Sequence, residues 1–400
     1  VKTLSKILFI GEIFGETEEE HNTPFTGSSG IELAHILRDS GLGPNISLFC
    51  NDCNLWGFYP NCETCKKSLY PSANDMIRHW EILKHSLDFE FTNVFNLHPT
   101  DNDLGEIFSP EYKSDFMPGL KYHLKRPISY IRPEFRQHVE ILWDRVRTTK
   151  PNLCVLLGNV ASWAMLKKTE ITKIRGYVAS SPITLSKCLP TFHPRNIMAN
   201  WPNRPIVLAD FSKAKRECEY SEIKTLRRRI VYHATLKEIE DWINLPADRY
   251  TVDIESGYAL YTSQELKDMS PNMRYAISSQ ISMVGLARSK TDALVIEFMT
   301  RNSPNLSYWQ NRDDEIAAWK LLQHALYKPI PKTYQNGIYD LCRMLYFTIK
   351  SCNAADDTML LHHALFPEML KGLGFLGSIY ADTPEWKSIY AKGENLKRDE

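Results

Sequence analysis

Asp253-Ile254-Glu255 sits in a β-type run, Tyr250 to Glu255, so its two acids project from one face of a strand. Further along, Tyr334-Gln335-Asn336-Gly337-Ile338-Tyr339-Asp340 reads as a strand end running into a helix. Asp253, Glu255 and Asp340, drawn from separate elements, can hold two divalent ions (Mg²⁺ or Mn²⁺) about 3.5–4 Å apart around a phosphodiester. One ion would activate water and the other would steady the leaving oxygen, with Asn336 beside them to contact the substrate. An Asp-x-Glu alone is a weak signal, because exposed strands often carry acids. Joined to Asn336-x-x-x-Asp340 it becomes strong.

A second group lies near the start of the chain. Gly11-Glu12-Ile13-Phe14-Gly15-Glu16-Thr17-Glu18 is a glycine-flanked loop carrying several carboxylates, placed just after the apolar run Ile7-Leu8-Phe9-Ile10. It leads to Pro24-Phe25-Thr26-Gly27-Ser28-Ser29-Gly30, an aromatic ring followed by a helix N-terminus where Ser28, Ser29 and free amides can meet a phosphate. Asn93 and His193 each stand at the end of a later apolar strand. A ring to stack on a base, an amide to read its edge, a carboxylate and a histidine are what excision of an extruded base requires. The carboxylate, Glu12, would orient water or steady the positive sugar, and His193 would donate to the departing base.

The third group is Cys50-x-x-Cys53 and Cys62-x-x-Cys65, two knuckles separated by eight residues that include Gly57 and Pro60. Four thiolates at this spacing suit one structural Zn²⁺. An iron–sulfur cluster is the rival occupant. The other five cysteines (Cys154, Cys188, Cys218, Cys342 and Cys352) read as small core residues.

These groups need scaffolds. The chain of 400 residues exceeds one ordinary core, and its 43% hydrophobic content fits folded domains rather than a disordered chain. The pattern predicts two α/β domains: residues 1–212 with a Cys-rich insertion at 47–75, a charged linker helix over 213–229, and a second domain over 230–400. In the first, strands are expected at Ile7–Ile10, Phe91–Phe95, Leu153–Leu157 and Pro190–Phe192, with helices from Ser29 to Gly41 and from Val160 to Leu166. In the second, strands are expected at 230–233, 250–255, 276–287 and 293–298, and helices at 236–243, 313–327 and 339–347. Candidate site residues thus fall just past strand ends, where open α/β sheets place their ligands. Net charge is zero, so any nucleic-acid binding must use local patches such as Lys121 to Arg136 or Lys224 to Arg229. No apolar run reaches the roughly 18 residues of a membrane helix, and nine cysteines without a secretory signal point to a reducing compartment. Val1 and the polar end at Lys397-Arg398-Asp399-Glu400 read as cuts from something longer.

The ordered set Gly11-Glu12-x-x-Gly15-x-x-Glu18, Pro24-Phe25-x-Gly27, Thr92-Asn93-Val94, Leu156-Leu157-Gly158-Asn159-x-Ala161, Arg175-Gly176 and His193-Pro194 resembles family 4 uracil-DNA glycosylases. The resemblance implies a parallel-sheet sandwich with Glu12 in the water-handling loop, Phe25 stacked on the base, Asn93 reading its edge and His193 at the cleaved bond. The chain departs from that family at Phe14, where it has Pro, and near Asn22, where it usually has Gly. It also lacks the family's flanking iron–sulfur cysteines.

Asp253-x-Glu255 and Asn336-x-x-x-Asp340 resemble the first two exonuclease motifs of proofreading domains in family A DNA polymerases, implying a ribonuclease H-like 3′–5′ exonuclease domain. Asp357-Thr358-Met359-Leu360, Lys371 to Leu376 and Trp386-Lys387 look like the phage members, with Asp357 a structural acid. The third motif, Tyr-x-x-x-Asp, is expected beyond Glu400; Tyr390-x-x-x-Glu394 has its spacing but the wrong acid. The combination is similar to the front part of large phage polymerases, which implies DNA and a downstream polymerase module as partners, no membrane, and the host cell cytoplasm. A stand-alone uracil-excising repair enzyme and a non-catalytic DNA-binding segment are the alternatives.

Overall fold

The computed structural model describes residues 6–50, 53, 55–58, 60–61, 63–121 and 127–381. Cys62, Trp386-Lys387 and the Tyr390 to Glu394 stretch lie outside them. The chain forms two compact units: one holds the residues up to Lys224 and a segment beginning at Gly377, the other Thr225–Leu376.

In the first unit β1 (Ile7–Ile13), β4 (Phe89–Phe95), β7 (Leu153–Leu157) and β9 (Lys187–Thr191) run parallel in the spatial order β4-β1-β7-β9, with β8 (Ala179–Ser180) antiparallel at the edge. Strands covered on both faces must be apolar throughout, and Ile7 to Ile10 and Leu153 to Leu157 are fully buried. Helices α4 (Arg136–Thr149) and α5 (Asn159–Leu166) pack their apolar sides on one face through Val139, Leu142, Val160 and Trp163. The opposite face stacks Phe9 against Phe91 and against Phe211 of α8 (Arg204–Glu217). Three short helices line the loops: α1 (Glu16–His21), α6 (Ile171–Ile174) and α7 (Pro194–Ala199). Between α2 (Ser28–Asp39) and α3 (Ala73–Leu87) the hairpin β2 (Ser47–Cys50) and β3 (Leu55–Phe58) is inserted; a small pair, β5 (Phe108–Ser109) and β6 (Tyr130–Ile131), lies further on.

The linker helix expected over 213–229 is not formed. Residues 213–217 are the last turn of α8, and Arg229 already opens a strand. Charge misled here because two of these charged residues are buried: Lys213 donates to the carbonyls of Gly176 (2.8 Å) and Ser378 (2.7 Å), and Glu217 pairs with buried Lys187. Beside them Arg175 forms a buried ion pair with Asp210.

The second unit has a six-stranded sheet in the order β10-β13-β12-β11-β14-β15. β11 (Tyr250–Ser256), β12 (Ile281–Ser289) and β13 (Asp292–Glu297) form an antiparallel meander, while β14 (Lys332–Tyr334) and β15 (Ala354–Asp357) continue beyond β11 in parallel. That is the ribonuclease H-like order, extended by β10 (Arg229–Val231) beside β13. α9 (Leu236–Asn244), α12 (Arg312–Tyr327) and α13 (Ile338–Tyr346) supply Trp242, Leu322 and Met344 to one core. The unit also contains α10 (Ser263–Asp268), α11 (Pro271–Ser279) and α14 (Thr358–Leu365). The strand expected from 276 begins only at Ile281, because Ser270 caps α11 with Pro271 in its first turn and carries the helix through Ser279. Cys154, Cys188 and Cys218 are core residues as expected, whereas Cys342, within α13, is exposed and Cys352, in the turn before β15, is half-buried.

Candidate functional site

The C-terminal ends of β1, β4, β7 and β9 surround a cavity of about 670 Å³ lined by Glu12, Phe25, Ser28, Ser29, Asn93 and His193. All six residues singled out in the sequence for base chemistry therefore share one chamber. Register explains part of this: Gly11 on β1 pairs with Asn93 on β4, so the two strand ends are adjacent.

Asn93 is 4% exposed. Its Nδ2 donates to the Ile13 carbonyl at 3.1 Å, and its buried Oδ1 has no hydrogen-bond partner. An unmet buried acceptor costs about 1–3 kcal/mol, so it is a feature that calls for a donor. A Cβ at Gly11 would lie 2.1 Å from that oxygen and 2.6 Å from the Phe25 ring, so only glycine leaves room for both. Phe25 is buried, with a left-handed backbone (φ 60°), and its ring faces that of His193 at 6.4 Å between centroids.

Glu12 is half-buried and caps α5, its Oε1 accepting the Val160 N–H at 3.1 Å. Burial raises its pKa, while the Val160 and Asn159 amides and the Arg195 charge pull the other way. Gly158, at φ 95°, ends β7 beneath it, and a Cβ there would meet Glu12 Oε1 at 2.3 Å. His193 is the N-cap of α7. Its Nδ1 accepts the Arg195 backbone N–H at 3.2 Å, which puts the proton of the neutral ring on Nε2. Burial, helped by Arg195, lowers its pKa to about 4, so the ring is neutral at physiological pH.

Sequence reading missed the residues that hold these in place. Glu18, 8% exposed, accepts the Gly15 N–H at 3.2 Å and the Gly27 N–H at 2.8 Å, tying the Glu12 loop to the start of α2. Trp80 donates its indole N–H to the Phe25 carbonyl at 2.8 Å. Glu18 was visible as a motif position, but nothing in its spacing announced a bridge; Trp80 lies 55 residues from Phe25 and gave no signal.

In the second unit Asp253 and Glu255 are exposed on the same face of β11, between buried Val252, Ile254 and the start of the next turn. Asp340, 4% exposed in the first turn of α13, accepts the Ile254 N–H at 3.0 Å. Burial raises its pKa to about 6, opposed by that amide and reinforced by the charges of Asp253 and Asp357. The acids thus lie within electrostatic reach. Their oxygens do not converge within 4.8 Å as the cysteine sulfurs below do. Asn336 is exposed at φ 57°, and its N–H and that of Gly337 are held by the Asp357 carboxylate at 3.1 and 2.7 Å. Burial works against ionised Asp357, yet four backbone amides outweigh it and lower its pKa. Asp357 fixes the turn that presents Asn336 and Asp340, a structural role.

Cys50, Cys53 and Cys65 bring their sulfurs within 4.8 Å of one another, an arrangement that could hold a metal ion such as Zn²⁺; among the described residues no other group of three or more possible ligands does so.

A profile of the uracil DNA glycosylase superfamily matches residues 1–218. The type-4 uracil-DNA glycosylase of Thermotoga maritima is 25% identical over 218 residues, covering 53% of this chain and 77% of that enzyme. The crystal structure of Escherichia coli RNase D, an exoribonuclease involved in structured RNA processing, aligns with 42% of this chain and only 36% of its own length, at 16% identity and a TM-score of 0.27. That likeness is too slight to bear on function.

Proposed function

Because the chain belongs to the uracil DNA glycosylase superfamily, we propose that its first unit takes up a base extruded from DNA and excises uracil. The observation that carries this is the buried, unpartnered Oδ1 of Asn93. Uracil offers an N3–H donor to such an acceptor, whereas cytosine presents a lone pair there and leaves both groups unpaired. Phe25 supplies the stacking surface. As the glycosidic bond breaks, the electron pair passes to the base, and the neutral Nε2–H of His193 stabilises the charge growing on its carbonyl oxygen. Glu12 faces the cationic sugar and orients the water; as the water's oxygen bonds to C1′, its proton passes to the Glu12 carboxylate and from there to the departing uracil anion. Ser28 and Ser29 at the α2 N-terminus suit the flanking phosphate.

Incubating the chain with a single-stranded oligonucleotide containing one uracil, then cleaving abasic sites with alkali, tests the reading. Strands left intact at enzyme excess reject it.

For the second unit we infer a 3′–5′ exonuclease with two Mg²⁺ or Mn²⁺ held by Asp253, Glu255 and Asp340, on the strength of the acid face at the end of β11 and the strand order around it. Together the two units fit the front part of a phage DNA polymerase in a host cytoplasm, with DNA and a downstream polymerase module as partners. On the cysteines we place one structural Zn²⁺, with Cys62 as the fourth ligand by its spacing.

A further inference from the structure

The cysteine hairpin sits close to the base cavity through one helix. Cys50 ends β2 and is buried, and its Sγ lies 3.7 Å from that of Cys65. Two thiolates bound to one tetrahedral Zn²⁺ at about 2.3 Å stand about 3.8 Å apart. The thiolates of a [4Fe–4S] cluster each bind a different iron and stand further apart. The observed separation fits two thiolates on one tetrahedral ion and not the thiolates of a [4Fe–4S] cluster.

At the other end of β2, the Arg78 guanidinium on α3 donates to the Ser47 carbonyl at 3.3 Å. Two residues further along α3, Trp80 donates to the Phe25 carbonyl at 2.8 Å and packs its ring on Phe91 at 4.4 Å. Phe25 needs such support. Its left-handed backbone is unfavourable for a bulky residue and persists only where neighbours determine it. Gly30 belongs to the same seat: a Cβ there would come 1.8 Å from the Phe25 oxygen.

We propose that the metal held by Cys50, Cys53 and Cys65 is a staple for the base-stacking wall: it fixes the β2–β3 hairpin, which braces α3, which holds the backbone of Phe25 through Trp80. The inference rests on the zinc assignment above and is independent of base excision. It gives the insertion a role in the pocket although Cys50, Cys53 and Cys65 do not line the cavity.

The test begins with elemental analysis and Co²⁺ substitution of the purified chain. About one zinc per chain and the strong visible absorption of a tetrahedral cobalt–thiolate site are expected, with occupancy lost in Cys65→Ser. Hydrogen exchange then reads the coupling. Stripping zinc with a chelator, or Cys65→Ser, should speed exchange about tenfold or more in α3 and in residues 25–30, while the strands β1 and β7 stay protected. Trp80→Phe should keep zinc and loosen residues 25–30 alone. Iron with sulfide, or no metal, overturns the zinc assignment and the staple together. Zinc present with exchange around Phe25 unchanged on its removal overturns the staple and leaves the zinc assignment standing.

Discussion

In the first unit the strand ends close around a cavity, whereas in the second β11 presents its acids on an open face. Within the cavity burial drives titratable groups toward neutrality, with the Glu12 pKa raised and that of His193 lowered to about 4. On the open face Asp253 and Glu255 keep solvent access, while buried Asp340 is pushed up to about 6. Reading a base edge needs fixed donors and acceptors shielded from water, where each hydrogen bond counts for more. Binding hydrated cations needs charge that water can reach. The two units still share one device. Glu18 accepts two backbone N–H groups and Asp357 four, and each so pins the loop that carries its site.

The largest expected effects test the cavity. Asn93→Ala removes the buried acceptor proposed to read the base edge, and uracil release should fall by about a hundredfold or more. Ser28→Ala, at the mouth, should change it by only a few fold. Equal, small effects from both would mean that the chamber does not read bases.

The acid face comes next. Asp253→Ala should weaken Mn²⁺ binding, measured calorimetrically, by about tenfold or more. Affinity in the unaltered chain should also fall as pH drops through about 6, because Asp340 must then give up a proton to take the ion. Metal binding that is insensitive to both changes would remove the nuclease assignment.

Much of this contrast was legible in the sequence, for identifiable reasons. Fully buried parallel strands must be continuous apolar runs, so β1 and β7 announced themselves, and the chemical residues followed at their ends. The alternation Val252, Asp253, Ile254, Glu255 announced a half-exposed strand. Buried charge was not legible. Lys213 and Glu217 look like linker residues until Gly176, Ser378 and Lys187 are seen around them. Nor could spacing reveal that Trp80 holds Phe25, or that the Asp340 carboxylate caps the Ile254 amide, since both contacts join distant segments.

Asp340 also allows a stability test of the comparison. Its folded pKa lies above its ordinary value of 3.8, so the folded state binds the extra proton and is penalised at neutral pH. Stability on this account is greatest below about 4 and declines as pH rises through about 6. Asp340→Asn keeps an oxygen for the Ile254 amide and removes the penalty. Without metal at pH 7 it should stabilise the second unit by about 1–2 kcal/mol, after discounting for solvent screening and relaxation, while losing divalent-ion binding. A destabilised Asn variant would show that the carboxylate's charge is compensated in a way that burial does not suggest.

The smallest effect concerns the pH profile of base release, and it separates His193 from Glu12. With its pKa lowered to about 4, His193 is neutral throughout the range from pH 5 to 8. The rate should therefore show no inflection near 6.5, the ordinary histidine value. Folding behaves differently: the unfolded chain protonates this histidine first, so its contribution to stability is intact above about 6.5 and is lost as pH falls toward 4. If Glu12 orients the water as proposed, the acid limb of the rate is its own, because its raised pKa makes the carboxylate lose its charge at a higher pH than an exposed glutamate would. Arg195 opposes that rise, so Arg195→Gln should move the acid limb to higher pH. Rates of release measured between pH 4 and 8 on a uracil oligonucleotide, at saturating DNA to remove effects on binding, give the answer. An inflection near 6.5 that disappears in His193→Gln would instead make a protonated histidine the acid, and the two units would then differ in solvent access but not in how burial sets their charge.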